Sequence, residues 1–501
     1  MSQSWTSGYV ADIAYIEGFY VQQSPARMVL ACLSGNVAVD LPEPDDAACY
    51  LELGCGCGIG ALLTAASNPG WRVTAIDYNP AHIAIGTRLA RTAGIDNIRF
   101  LEADLSRLAT SAEADAIPAA DFVSLHGVWS WVSNDVRAGI IRLLAAKTRP
   151  GGVVHVSYNA LPAWQGAIAL QRIIYEAGIR SAGRSDLQAQ AGLALAREIK
   201  AAEGKYLTDP LASELVDTTT DMSAQYLSHE YMNVHWAPAF HADVAAAMAQ
   251  AKLDWVASAN PLENFSELML KPEQRVLMDR YKDPTMRELI KDTCLQRQLR
   301  HDVFVRGARR VRNDERDEAI ARLTVVPIIS PGELRTQIRV PAGLAEVGDP
   351  LKNMMASAMR GPATIGGLLA LEQEKSNPAE LASVLVGSHQ CQIAMRPGYK
   401  QPDAANRLNR VLGARVRSIA ELKASGGLAS GRLGTGLSAP PLIQFVANRL
   451  LSGEREDNAE AWIETLSADI LPEKRDTVRS AVHAAIEQRV PVLRQLQIVP
   501  D

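Results

Sequence analysis

The chain has 501 residues, 47% hydrophobic and 21% charged, with 51 Lys and Arg against 56 Asp and Glu and a formal net charge of −5. That length exceeds one hydrophobic core, so two to four domains are expected, and the near-balanced charge gives no expectation of nucleic-acid binding. Six cysteines (Cys32, Cys49, Cys55, Cys57, Cys294, Cys391) lack a paired framework, which points to reduced thiols in a cytoplasmic protein.

In chain order, the first 45 residues lack a basic start and a continuous apolar core, so no signal peptide is expected. They are rich in tyrosine and read as an added, partly helical segment. From residue 48 strand and helix alternate. "CYLEL" is a short strand ended by glycines, "IGALLTAA" a helix and "WRVTAID" a second strand. A helix then runs from Pro80 to Gly94, with proline at its start and glycine at its end. "NIRFLEADL", "ADFVSLHGV" and "GVVHVSYNA" are further strands, with the helix "DVRAGIIRLLAAK" between the last two. Alternation at these lengths predicts a Rossmann-like, doubly wound α/β sheet.

Residues 163–220 are alanine-rich and helical, and strands are predicted at 253–258 and 301–307. These two strands are expected to close the sheet opened at residue 49, with 163–220 inserted. Past residue 310 the chain is mainly helical, with a helix-turn-helix texture at 362–386 that is partly winged-helix-like and not basic. The predicted parts are therefore 1–45, 46–165, 166–310 and 311–501. No run of 18 apolar residues occurs, so no membrane insertion is expected.

The stretch "YLELGCGCGIGALL" (50–63) sets glycines at every second position behind a strand. Glycines there let backbone N–H groups approach a ligand at a helix start. Gly56, Gly58 and Ala61 satisfy a dinucleotide pattern. The competing pattern is an acid followed by alternating glycines: Glu52, Gly54, Gly56 and Gly58. An acid at that strand end is unfavourable beside a pyrophosphate and favourable beside a ligand carrying an ammonium and a sulfonium. Asp77 ends the second strand, where a carboxylate accepts ribose hydroxyls. Asp104 ends the third, within reach of an adenine amine. Together these residues point to S-adenosylmethionine as cofactor and to the class I methyltransferases. No metal is expected, because Cys55 and Cys57 are too close for a zinc knuckle.

"LHGVWSWV" (125–132), "RPGGVVHVSYNALPAW" (149–164), "YLSHEYMNVHWAPAFHADV" (226–244) and "LRHDVFVRG" (299–307) narrow the comparison. With them, residues 1–310 resemble class I methyltransferases carrying a methyltransferase regulatory domain. The best-known members are bacterial protein-lysine methyltransferases acting on outer-membrane proteins. "LASGRLGTGLSAPPL" (428–442) resembles a stretch of the family's C-terminal region. The resemblance implies that Glu52, Gly54, Gly56 and Gly58 hold the methionine part of the cofactor and Asp77 its ribose. It also implies that Tyr78 flanks the adenine, Asp104 and Leu105 frame it, and His126 and Gly127 line the sulfonium side. Two positions depart from the family. Trp129 stands where similar proteins tend to have tyrosine or phenylalanine, and Ala163 where they tend to have glycine.

Methyl transfer is an in-line displacement that needs alignment and a neutral nucleophile. For a lysine amine, an aromatic channel would supply both desolvation and attraction for a cation. Trp129, Tyr158 and Asn159 follow strand ends, and Tyr9, Asp12 and Tyr15 lie in the N-terminal segment, read as a lid over the cofactor. Tyr158 and Asn159 are expected to orient the amine. Tyr9, Asp12 and Tyr15 fit one half-buried helix face equally well. Trp131 reads as core, His126 as packing on the cofactor, and His229 and Glu230 as structural hydrogen bonding at a domain junction. The arginines of 297–312 read as a solvated sheet edge or as interface pairing.

The expected activity is methylation of lysine side chains on a protein, with residues 311–501 presenting the substrate. The alternative is N- or O-methylation of a small molecule, with 311–501 as a homodimer module. A cofactor-sensing scaffold is disfavoured by the intact glycine loop and acids.

Overall fold

The computed structural model describes residues 8–13, 17–42, 46–219, 224–372, 377–416, 426–468 and 475–501. Its centre is a seven-stranded sheet: β1 (Cys49–Leu53), β2 (Arg72–Asp77), β3 (Ile98–Glu102), β4 (Ala120–Leu125), β5 (Thr148–Asn159), β6 (Leu253–Ser258) and β7 (Leu299–Arg306), in the order β3-β2-β1-β4-β5-β7-β6. β1 to β5 run parallel, while β7 is antiparallel to both β5 and β6. All five residues of β1 are buried, as expected of a central strand covered on both faces. β6 and β7 close the sheet across an insertion, and β7 is an interior strand, not the solvated edge expected from its arginines.

Three helices pack on the sheet: α1 (Pro25–Ser34), α2 (Ile59–Ser67) and α3 (Pro80–Ala93). α1 starts with Pro25 behind Ser24, whose hydroxyl accepts from the Arg27 N–H, a cap that satisfies one orphan donor of the first turn. It packs against β5, β6 and β7. The N-terminal segment therefore divides: its early residues border the cavity described below, and α1 belongs to the sheet's core.

The insertion carries the helices Ile168–Gly178, Ser185–Ala201, Pro210–Thr218 and Ala224–Tyr231. They have an apolar core of their own, including Trp164, Leu170, Leu193, Leu211 and Tyr231. On β7, Arg300 is fully buried and pairs with Glu288 (2.9 Å), Asp292 (2.7 Å) and Asp302 (2.8 Å). Arg297 joins the same acids, so these arginines are interior pairing groups.

The C-terminal region is mainly helical with short strands. Thr324–Pro327 pairs antiparallel with Ala363–Thr364 and Cys391–Ala394, and the helices Ile365–Leu369 and Pro378–Gly387 lie between the last two. The hairpin Gly427–Ser430/Thr435–Ser438 and the helix Asp403–Ala414 pack on α2. Ser67 Oγ donates to the Thr435 carbonyl (3.0 Å), Asn68 Nδ2 to that of Gly434 (2.8 Å), and Arg407 Nε to that of Ala93 (2.7 Å). Among the described residues no helix is long and apolar enough to cross a membrane.

Candidate active site

A cavity of about 890 Å³ opens at the carboxyl ends of the parallel strands, where open α/β sheets bind ligands. The β1–α2 turn forms its floor. Gly54 and Gly58 sit at φ 68° and 72°, and a Cβ would collide with Val128 at the first and with Phe100 at the second. Only glycine combines that backbone with that closeness. The Gly56 N–H donates to Asp77 Oδ2 (2.8 Å), tying the turn to the end of β2. Asp77 Oδ1 accepts from the Asn79 N–H (2.9 Å) and lies 3.2 Å from His82 Nδ1. Asp104 Oδ1 accepts from the Ser106 N–H (2.8 Å).

Glu52 is the unusual group. Its Oε1 accepts from Gln23 Nε2 (3.3 Å), which also donates to Ser124 Oγ (3.0 Å). Its Oε2 is buried without a hydrogen-bond partner. Burial pushes the carboxyl up to about 8, against the opposing pull of Gln23 and the nearby Ala61 amide. A buried, half-satisfied carboxylate at a glycine turn fits a ligand that brings a cationic donor, as the ammonium of S-adenosylmethionine does.

At the end of β4 the His126 ring stacks on Tyr20, centroids 3.9 Å apart, and its Nδ1 lies 3.2 Å from Ser157 Oγ. The Gly127 N–H donates to the same hydroxyl (2.8 Å). Burial, with His301 nearby, holds His126 well below the usual imidazole range. His126, His155 and His301 place ring nitrogens within 4.8 Å of one another, and His155 Nε2 and His301 Nδ1 are 3.2 Å apart.

All ten residues expected around the cofactor line this cavity: Glu52, Gly54, Gly56, Gly58, Asp77, Tyr78, Asp104, Leu105, His126 and Gly127. The expected acceptor residues are placed differently. Tyr9 does line it, 6.1 Å from the Tyr78 ring, and burial pushes its phenol up to about 12. Tyr158 does not. It is fully buried, donates to Asp302 Oδ2 (2.5 Å) and lies 3.4 Å from His241 Nδ1. Side chains alternate along a strand, so Tyr158 faces away from the side on which Ser157 meets His126. Asn159 donates to Glu230 Oε1 (3.1 Å) and is itself off the cavity wall.

Trp129 is packed in the core under Arg137 (5.6 Å), while Trp131 lines the cavity. The two sit in one 3-10 turn, whose three-residue period turns positions two apart to different sides. Asp12 accepts from the Ser185 N–H (2.8 Å) and hydroxyl (2.6 Å) at the start of the helix Ser185–Ala201. It is a helix-capping group rather than part of the wall. Tyr15 lies outside the described residues. His229 and Glu230, read from sequence as junction residues, line the cavity together with Tyr20, Gln23 and Tyr226. No local pattern marks these, because they reach the cavity from the N-terminal segment and the insertion.

The five parallel strands, the acid-bearing glycine turn and the carboxylates at the end of β2 and just past β3 define an S-adenosylmethionine-dependent methyltransferase. The methyltransferase domain family matches residues 51–152, and the family described as a predicted methyltransferase regulatory domain matches 223–306. An uncharacterized protein of Synechocystis is 29% identical over 369 residues, covering 73% of this chain and 71% of that protein. An uncharacterized protein of Rickettsia prowazekii is 32% identical over 123 residues, 25% of this chain and 47% of that one. The structure of PKMT2 from Rickettsia typhi in complex with AdoHcy is similar at TM-score 0.66 and 16% identity, covering 97% of this chain and 100% of that one. The chain is a class I S-adenosylmethionine-dependent methyltransferase with a methyltransferase regulatory domain, and its cofactor is S-adenosylmethionine.

Proposed function

We propose that the protein methylates lysine side chains of a protein substrate. The observation that carries this reading is that the C-terminal region is built onto the cofactor core beside the cavity. Arg415, just past the helix Asp403–Ala414, pairs with Glu17 (2.7 Å), and Glu17 lines the cavity. A region of this size at the rim offers a docking surface that a small acceptor would not need. The fold shared from end to end with the protein named PKMT2 supports the same choice.

In this reading Glu52 and the turn of Gly54, Gly56 and Gly58 hold the methionine part of the cofactor. Asp77 accepts from the ribose, Tyr78 flanks the adenine, Asp104 and Leu105 frame it, and His126 and Gly127 line the sulfonium side. Bound S-adenosylmethionine supplies an electrophilic methyl group on sulfur. The chain's part is alignment and exclusion of water: Tyr9, Tyr20 and Trp131 line the cavity with aromatic side chains, a residue type that favours a cation.

The test is incubation of the purified protein with methyl-labelled S-adenosylmethionine and fractionated extract of its own host. Protease-sensitive, acid-precipitable label that survives mild base and maps to lysine by mass spectrometry is the expected result. Label confined to small molecules would replace this reading with metabolite methylation.

A further inference from the structure

We propose that Glu230 is the anionic anchor of the acceptor site, and that the acceptor group it takes is a primary ammonium, which passes a proton to the Glu230 carboxylate or to water before its nitrogen attacks the methyl group. This rests on the amine-methylation reading above and names the residue that selects for it.

Six carboxylates are buried among the described residues: Glu52, Asp121, Glu230, Glu288, Asp292 and Asp302. Leaving such a group without a cation is costly, so interior carboxylates are normally paired. Four of the six follow that rule. Asp121 pairs with Arg149, and Glu288, Asp292 and Asp302 share Arg297 and Arg300. Glu52 and Glu230 pair with no Lys or Arg among the described residues, and both line the same cavity. The cavity is thus prepared for positive charge in two places, one on β1 and one on the insertion helix Ala224–Tyr231.

The cofactor's ammonium accounts for Glu52. Its sulfonium has no N–H to donate and cannot satisfy the lone pairs of a second carboxylate, whereas an ammonium brings three donors. Glu230 is also held for such a ligand. Asn159 Nδ2 (3.1 Å) and Trp236 Nε1 (3.3 Å) both donate to Oε1, and neither reaches Oε2. Aromatic groups share the cavity wall with it: Tyr226 lies close enough to feel the Glu230 charge, and Tyr20 stacks on His126. Burial raises the Glu230 carboxyl above its ordinary range, the state an incoming cation relieves. Asn159 becomes a positioning residue that acts through Glu230.

The test uses the full chain and Glu230→Gln, which keeps a carbonyl oxygen for Asn159 and Trp236. Calorimetry gives the affinities for S-adenosylmethionine and S-adenosylhomocysteine. The protein loaded with S-adenosylhomocysteine is then offered single-lysine peptides, the same peptides with lysine acetylated, and n-butylamine. Wild type is expected to prefer lysine over acetyl-lysine, and E230Q to lose ~10-fold or more of that preference, as for a charge-assisted hydrogen bond, with both cofactor affinities within about twofold. Asn159→Ala, with its clamp loosened, is expected to lose a smaller part, which keeps the test open should E230Q not fold.

Lysine preference retained in E230Q would overturn the proposal while leaving the lysine reading intact. Weakened binding of S-adenosylmethionine but not of S-adenosylhomocysteine would overturn it in favour of sulfonium pairing. Glu230-dependent binding of n-butylamine without lysine-peptide binding would uphold the ammonium site and remove the protein substrate. Binding of neither would remove both.

Discussion

Replacing Glu52 by glutamine keeps the side chain's shape and its contact with Gln23 but removes a carboxyl that the ligand-free protein ionises only at a cost. Moving a carboxyl from its ordinary 4.5 to about 8 corresponds to about 5 kcal/mol of preference for the neutral form. Water entering the open cavity reduces what is realised, so E52Q is expected to stabilise the ligand-free protein by ~1–3 kcal/mol at pH 8. The pH dependence has a definite sign. Below about pH 4.5 the group is protonated in both folded and unfolded chains, and the substitution is neutral. Between there and about 8 the unfolded chain releases a proton that the folded one retains, so wild type loses stability relative to E52Q as pH rises. Thermal melts of the two proteins at pH 5 and pH 8 read this as a gap that widens by a few degrees, at roughly 1–2 °C per kcal/mol for a chain of this size. Affinity moves the other way. S-adenosylhomocysteine binding to E52Q at pH 8 is expected to fall ~10- to 100-fold, the worth of a hydrogen bond to a charged group. A variant that binds like wild type would refute the carboxylate–ammonium assignment, and a gap that does not widen with pH would refute the burial argument.

Three further outcomes follow from the geometry. Gly54→Ala meets both a positive φ and Val128, so it should lower S-adenosylhomocysteine affinity by calorimetry, whereas Gly70→Ala, with open space around it, should not. Tyr158→Phe removes a donor to Asp302 in the core; it should cost ~1–2 kcal/mol in denaturant unfolding and leave cofactor affinity unchanged, and a loss of affinity without loss of stability would return Tyr158 to the site. Arg300→Met removes an ion-pair partner from three buried acids and leaves Asp302 without an arginine, and should destabilise by ~3–5 kcal/mol in the same assay.

What the sequence alone determined is local. A strand, a glycine turn and a helix start occupy fourteen consecutive residues (50–63), and Asp77 and Asp104 end the next two strands of an alternating pattern. Backbone conformation over such short spans is dictated by residue type, so Glu52, Gly54, Gly56, Gly58, Asp77 and Asp104 come to one cavity, and Tyr78, Leu105, His126 and Gly127, expected through the family resemblance, line it too. The closing of the sheet by β6 and β7 was also legible, from apolar runs of strand length. What only the tertiary structure decided is which side of an element faces the cavity and which distant segments meet there. Tyr158 and Trp129 were correctly near the strand ends, yet alternation along β5 and the pitch of a 3-10 turn direct them into the core. Asp12 was drawn to Ser185, 173 positions away. Glu230, Tyr226, Tyr20 and Glu17 come to the cavity from elements that the glycine turn does not specify. Buried charge made the difference for Glu230. In the sequence it is one acid among 56 acidic residues, and only packing reveals that four of the six interior carboxylates have an arginine and that the remaining two share a cavity.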